Sequence, residues 1–257
     1  MTQVAPTPKA IGCVLIVGGL YHDFDFARLE LLKLLGENDR IRTRVFEDFE
    51  QIDAIAAADF IVTYTCDVLP SAATQEALRM FVERGGRLYA LHGTNSILRI
   101  LDIGKVDTPD LAPGFMDMLG SSFAAHPPIG EYRVEVTAPE HPLCAGLEAF
   151  TVTDELYLSR VRAEIEILLH VNFGGETPNF TDSHWPLASH PVLYLRKLGL
   201  GSVLYLTLGH CRGHHDLRPL SNWWPQIDRG SWSTPTFYEL LRRGIAWASG
   251  EMNDRND

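Results

Sequence analysis

The chain has 257 residues, of which 22 are Lys or Arg and 33 are Asp or Glu, giving a formal net charge of −11 and an isoelectric point near 5.3. With 46% hydrophobic and 21% charged residues it has ordinary globular composition, which argues against disorder and against a small disulfide scaffold. No basic run exceeds the pairs Arg196-Lys197 and Arg242-Arg243, so nucleic acid is not expected as a partner, because phosphate contacts need clustered Lys and Arg.

Ile11 to Val17 is a short apolar run of the kind that forms a strand covered on both faces. Gly18-Gly19 ends it, and Phe26, Leu29, Leu32 and Leu35 follow at helical spacing. Arg42 to Phe46 reads as a second strand, Ile52 to Ala57 as a short helix, and Phe60 to Tyr64 as a third strand. Ser71 caps a helix carrying Ala72, Gln75, Leu78 and Phe81, which Gly85-Gly86 stops before a fourth strand at Leu88 to Leu91. This alternation predicts right-handed βαβ units in one parallel sheet. Asp102 to Ala125 reads as loop with a short helix near Phe115 to Leu119. Strands are expected at Glu131 to Thr137, Ile165 to Val171 and Val192 to Leu195, the last joined through Leu198-Gly199-Leu200-Gly201 to Ser202–Leu208 as a hairpin. Arg212 to Trp232 is loop-like and suits a lid, and Pro235 starts a final helix through Trp247. The expected organisation is one domain over 11–250, between tails at 1–10 and 251–257.

Ligands in open parallel sheets bind beyond the carboxyl ends of the strands. Those ends carry Tyr21-His22-Asp23, Cys66-Asp67, His92-Gly93-Thr94-Asn95 and His210-Cys211-Arg212. Histidine suits proton transfer and metal ligation. His22, His92, His126 and His210, with Glu155, form a candidate ligand set of the required chemical types. Asp154-Glu155 with Tyr157 offers an acid/base pair, although adjacent carboxylates are usually solvated. Tyr21, Trp223, Trp224 and Trp232 are candidates to stack on sugar faces, while Trp247 reads as core. Gly18-Gly19 lacks the Gly-x-Gly-x-x-Gly pattern and no Gly-Lys-Ser/Thr occurs, so neither NAD nor ATP is expected. Cys13, Cys66, Cys144 and Cys211 are far apart with no CxxC pair, which speaks against a zinc ribbon or a disulfide framework. The run Ala10–Leu20 has no cleavage site after it, and no apolar stretch reaches the roughly 18 to 20 residues of a membrane span. No membrane partner and a cytoplasmic location are therefore expected; a homo-oligomer stays open.

In order, the chain carries Gly19-x-x-His22-Asp23, Phe81-Val82-x-x-Gly85-Gly86, Leu91-His92-Gly93, Phe123-x-x-His126-Pro127 and His141-Pro142-x-x-x-Gly146-Leu147. Asp154-Glu155-x-Tyr157, His190-Pro191-Val192, Leu208-Gly209-His210 and Gly244-Ile245-x-Trp247-Ala248 follow. This series, spanning Ile11 to Gly250, resembles the ThuA-like (trehalose-utilisation) family. The resemblance implies an α/β, flavodoxin-like three-layer sandwich with a mainly parallel central sheet and an added hairpin, related to class I glutamine amidotransferases. Those enzymes carry Cys at the strand-four elbow, where this chain has His92-Gly93, so glutamine hydrolysis is not expected. It implies instead an enzyme of disaccharide or keto-sugar catabolism, an isomerase or lyase with a divalent metal, zinc being the first candidate. The catalytic candidates are His22, Asp23, His92, Glu155 and His210. Tyr21, Cys66, Asn95, Tyr157 and Arg212 are candidates to bind the sugar, and His22, His126 and His210 to hold the metal. The alternatives are a non-catalytic sugar-binding or regulatory module, or thiol chemistry through Cys66 or Cys211.

Overall fold

The computed structural model describes residues 9–252; most of the two expected tails lies outside them. In chain order the elements are β1 (Ile11–Gly19), α1 (Phe24–Leu35), β2 (Ile41–Phe46), α2 (Ile52–Ala57), β3 (Phe60–Cys66), α3 (Ala72–Glu83) and β4 (Arg87–Leu91). Then come β5 (Arg99–Ile100), β6 (Val106–Asp107), α4 (Pro113–Leu119), β7 (Ser121–Ala125), β8 (Gly130–Val136), β9 (Phe150–Asp154) and β10 (Leu158–Val161). The chain ends with β11 (Glu166–Glu176), β12 (His184–Leu198), β13 (Gly201–Leu206) and α5 (Pro235–Ala248).

Nine strands form one sheet in the order β2-β1-β3-β4-β13-β12-β11-β8-β9. The run from β2 to β13 is parallel, and every pairing beyond β13 is antiparallel. The sheet is therefore mixed, with a larger antiparallel share than expected. The β12–β13 hairpin is present, but it does not finish the sheet. Strand β12 is 15 residues long, far beyond Val192–Leu195, and its free edge takes up β11 and through it β8 and β9. Strand β7 lies where the sequence pattern predicts loop, β9 and β10 lie in a stretch to which it assigns no element, and β7 pairs with β10 outside the main sheet.

Successive strand residues face opposite sides, and both sides are covered. Leu15, Val17, Val62, Tyr64 and Leu91 pack with α1 and α5. Val14, Ile16, Ile61, Leu88, Ala90, Val203 and Tyr205 pack with α2, α3 and α4. Helix α1 buries Ala27, Leu31, Leu34 and Leu35, whereas Leu29 is 53% exposed. A leucine-rich helix offers more than one apolar stripe, and contact with β1 and α5 selects a different one from that expected. Helix α3 begins as predicted, with Ser71 Oγ accepting from Thr74 N. Trp247 is buried in the core as expected, and so is Trp232, which is thereby removed from the sugar-stacking candidates. Gly18-Gly19 is a packing device: a Cβ on Gly19 would lie 1.9 Å from the Cys66 carbonyl oxygen, and Gly19 itself sits at φ +118°. None of the described helices is long and apolar enough to cross a membrane.

Helix α5 starts with Thr234 Oγ1 accepting from Phe237 N and with Pro235 in its first turn. Mid-helix Gly244 lies against the Tyr89 ring, and a Cβ there would come within 2.2 Å of it. We expect Gly244→Ala to destabilise the protein by about 1–3 kcal/mol despite its better helix propensity. Urea unfolding measures this, and an unchanged or higher midpoint would refute the close approach.

Candidate functional site

The carboxyl ends of the parallel strands converge on one cavity of about 640 Å³. Three of these ends are bent by non-glycine residues at positive φ: Tyr21 (73°) after β1, Asp67 (58°) after β3 and His92 (43°) after β4. Such residues are uncommon and mark places where surrounding structure imposes the conformation. After β4 the chain makes a 3-10 turn over His92–Asn95. The Tyr205 hydroxyl braces that turn, donating to the His92 carbonyl at 2.7 Å while accepting from Asn95 N at 2.8 Å. The end of β4 thus presents a buried imidazole.

His22, His92, Glu155 and His210 meet, all buried, with one ligand atom from each lying within 4.8 Å of the others, and of the four His22 and Glu155 line the cavity. His22 Nε2 and His92 Nε2 are 2.9 Å apart. Glu155 Oε2 lies 3.2 Å from His210 Nδ1, 3.6 Å from His92 Nε2 and 3.8 Å from His22 Nε2. Tetrahedral coordination with bonds of about 2.0–2.3 Å separates ligand atoms by about 3.3–3.7 Å; the contacts of Glu155 fall close to that range, whereas the 2.9 Å between His22 and His92 would have to widen around a cation.

The ring tautomers sharpen the point. His92 Nδ1 is 2.8 Å from the Thr207 carbonyl, and His22 Nδ1 is 3.3 Å from the Leu20 carbonyl. Carbonyls only accept, so both Nδ1 atoms are assigned as N–H and both Nε2 atoms carry lone pairs. Two lone pairs then face each other beside a carboxylate. With the His22 tautomer reversed, Nε2 donates to His92 at 2.9 Å and the 3.3 Å contact with the Leu20 carbonyl is given up. A second proton on His22 is opposed because burial holds its pKa down to about 3, in spite of the Glu155 carboxylate. A shared cation satisfies every donor atom.

His210 completes the cluster. Neither of its ring nitrogens makes a hydrogen bond of good geometry, although Nε2 faces Asp228 Oδ2 at 3.8 Å. Burial pushes this imidazole down, but Glu155 and Asp228 outweigh it and hold the pKa at about 9. Glu155 is pushed up by its burial, yet His210 and His126 overcome that and keep it well below the usual carboxylate range. Protonated His210 supplies a positive charge beside Glu155, which a bound cation would replace.

Arg212 fixes Glu155 from the other side. Its Nη2 lies 3.3 Å from Glu155 Oε1, its Nε donates to the Tyr21 carbonyl at 3.0 Å, and its backbone bridges to Asp228. His126 lies outside the four-residue set, with Nε2 3.7 Å from Glu155 Oε1 and Nδ1 2.7 Å from the Pro127 carbonyl. The candidate ligand set is therefore His22, His92, Glu155 and His210, with His92 in the place foreseen for His126.

The other expected site residues divide. Tyr21, Cys66, Tyr157 and Arg212 line the cavity. Asp23 does not: its Oδ1 caps α1 by accepting from Phe26 N, and its Oδ2 pairs with Arg229. Asn95 lines a separate cavity of about 320 Å³, where its Nδ2 donates to Ser121 Oγ. Trp224 lines the main cavity, whereas the exposed Trp223 stacks on His214. All four cysteines are free and buried. Burial pushes the Cys66 thiol well up and Cys211 to about 12, which opposes thiolate chemistry at either.

The adjacent pair Asp154-Glu155 is not solvated: both are buried. Asp154 accepts from five donors, namely the backbone N–H groups of Glu155, Gly209, His210 and Ser231 and the Ser231 hydroxyl. Sequence reasoning missed Asp228 and gave Asp154 an acid/base role in place of this structural one. Asp154 was visible as half of a motif, whereas Asp228 carries no sequence signal. We expect Asp154→Ala to cost about 3 kcal/mol or more, since each stranded buried donor costs about 1–3 kcal/mol. Urea unfolding tests this, together with hydrogen exchange at Gly209, His210 and Ser231. Unchanged protection at those amides would show that Asp154 does not hold them.

The profile of the ThuA family, described as trehalose utilisation, matches residues 14–217. No curated protein sequence matches the chain. Among solved structures, a ThuA-like protein from Bacteroides uniformis aligns at TM-score 0.67 and 17% identity, covering 96% of this chain and 95% of that one. A ThuA-like protein from Parabacteroides merdae aligns at TM-score 0.63 and 18% identity, covering 97% and 93%. A β-galactosidase from Bacillus circulans aligns at TM-score 0.53 and 13% identity, over 94% of this chain and 31% of that one. At these identities the neighbours establish shared fold alone. The profile covers most of the length, and the chain belongs to the ThuA trehalose-utilisation family.

Proposed function

We propose that the protein is an enzyme of sugar catabolism, an isomerase or lyase acting on a keto-sugar, with a divalent cation, zinc first, held by His22, His92, Glu155 and His210. The observation that carries this reading is the buried cluster of His22, His92, Glu155 and His210, in which one ligand atom from each lies within 4.8 Å of the others. The sugar assignment is supported by the description of the family. When bound, the cation would polarise a sugar oxygen and stabilise negative charge developing there.

The chain's own groups supply the rest. Chemistry next to a carbonyl needs a base for the α proton as well as an electrophile. His126 suits the base: it is half-buried, lines the cavity, and has Nδ1 held by the Pro127 carbonyl, so Nε2 is the atom that takes up and returns the proton. Proton return at the neighbouring carbon gives isomerisation; expulsion of a substituent there gives elimination. Arg212 holds Glu155 in place, and Asp228 faces the far side of the His210 ring at 3.8 Å, where it contributes negative charge behind that imidazole. The Tyr157 ring, 4.3 Å from that of His92, keeps water from that side of the cluster.

The flavodoxin-like assignment belongs to this reading too, supported by the strand order β2-β1-β3-β4-β13 with helices against both faces. A cytoplasmic location is supported by four buried free thiols.

Elemental analysis of protein purified without chelator tests the metal: near-stoichiometric divalent metal is expected, with most of it lost in His210→Ala. His126→Ala should keep the metal but lower kcat on a keto-sugar about 100-fold. Metal-free protein that takes up no zinc, cobalt or manganese on titration would overturn the cofactor assignment. Full turnover by His126→Ala would overturn the role of that base.

A further inference from the structure

Resting on the sugar reading above, we propose that the substrate is a glycoside of an apolar alcohol, aromatic or aliphatic, rather than a disaccharide. The cavity divides into two chemically distinct parts. Its floor is polar and buried, built by His22, Glu155, Tyr157 and Arg212. Toward solvent the walls become hydrocarbon. The buried rings of Phe123 and Phe180 and the half-buried Leu217 of the loop 213–227 line this part. At the mouth stand Ile100, Ile129 and Leu220, exposed by 38%, 36% and 51%.

Two arguments point to an apolar occupant. The first concerns hydroxyls. A second pyranose ring carries them around its edge, and each one desolvated without a partner costs about 1–3 kcal/mol. Among the exposed residues of the lining the polar side chains are Asn179 and Gln226; of the half-buried ones, Trp224 Nε1 and Asp228 are taken up with each other and His126 faces Glu155, which leaves too few free partners for such a ring. The second concerns the origin of the aliphatic residues. Ile100 comes from β5, Ile129 from the β7–β8 connection and Leu220 from the lid segment. Three segments far apart in sequence each place exposed hydrocarbon on the mouth of one cavity, an arrangement that marks a binding surface. At about 640 Å³ the cavity has room for a sugar at the floor and a phenyl or short alkyl group beyond it.

The test measures binding of methyl, phenyl and hexyl glucosides and of trehalose by calorimetry, each also as its keto-sugar, to wild type and to Leu220→Ser and Ile129→Ser. Both substitutions lie on exposed surface and leave the floor untouched. Phenyl and hexyl glycosides are expected to bind about tenfold or more tighter than methyl, from the apolar area they bury. Trehalose is expected to bind no tighter than methyl glucoside. Each variant should move the phenyl-to-methyl ratio toward one without changing methyl affinity. Tightest binding by trehalose, or a ratio that neither variant moves, overturns the inference and leaves the sugar reading standing. Binding of phenol and hexanol with no binding of any glycoside overturns both.

Discussion

The Asp154 carboxylate is the constraint on which the site depends. It accepts from the backbone on both sides of the last sheet crossing, Gly209 and His210 after β13 and Ser231 before α5, and from the N–H of Glu155 next to it. One buried group thus positions two of the four cluster residues, His210 through its backbone and Glu155 through its own peptide. Burial of a lone carboxylate is unfavourable unless its lone pairs are satisfied, and five donors satisfy them. The site's geometry is consequently tied to the integrity of the fold at the sheet's crossover from parallel to antiparallel pairing.

The second support is strain held by the sheet. Tyr21, Asp67 and His92 occupy left-handed backbone conformations at three strand ends. Each such residue costs on the order of 1–3 kcal/mol, which the parallel register and local hydrogen bonds offset. Asp67 Oδ1 accepts from Leu98 N, and the Tyr205 hydroxyl spans the His92 turn. The benefit is directional. A left-handed turn at His92 folds its ring back over the end of β4, toward His22, instead of letting the chain run straight into helix.

Legibility from sequence followed the range of the interactions. The alternation up to Leu91 could be read because strands covered on both faces are continuously apolar and because Ser71 and Gly85 mark helix ends locally. Gathering histidines at strand ends followed from the topology alone, and three of them, His22, His92 and His210, do meet. The stripe of α1 was misjudged because Leu29 and Leu31 are equally apolar, and only packing against α5 separates them. Strands β7, β9 and β10 escaped notice, being short and paired with distant segments. Asp154-Glu155 looked solvated for a similar reason, since the donors that bury it come from residues 209–231. Asp23 resembled a catalytic acid but serves as a helix cap, a role its position before Phe24 also permits.

The antiparallel bridge between Arg212 and Asp228 closes the neck of the lid segment. Above that neck, residues 213–227 form a loop whose two ends are already held together by groups that also anchor the cluster. In a loop of this kind the entropy of closure rises slowly with length, by about 0.6 kcal/mol per doubling. Sequence change or insertion there can therefore reshape the outer cavity without disturbing Glu155 or His210 below. The arrangement separates the evolution of selectivity from that of chemistry: the loop is a replaceable cassette mounted on a fixed floor.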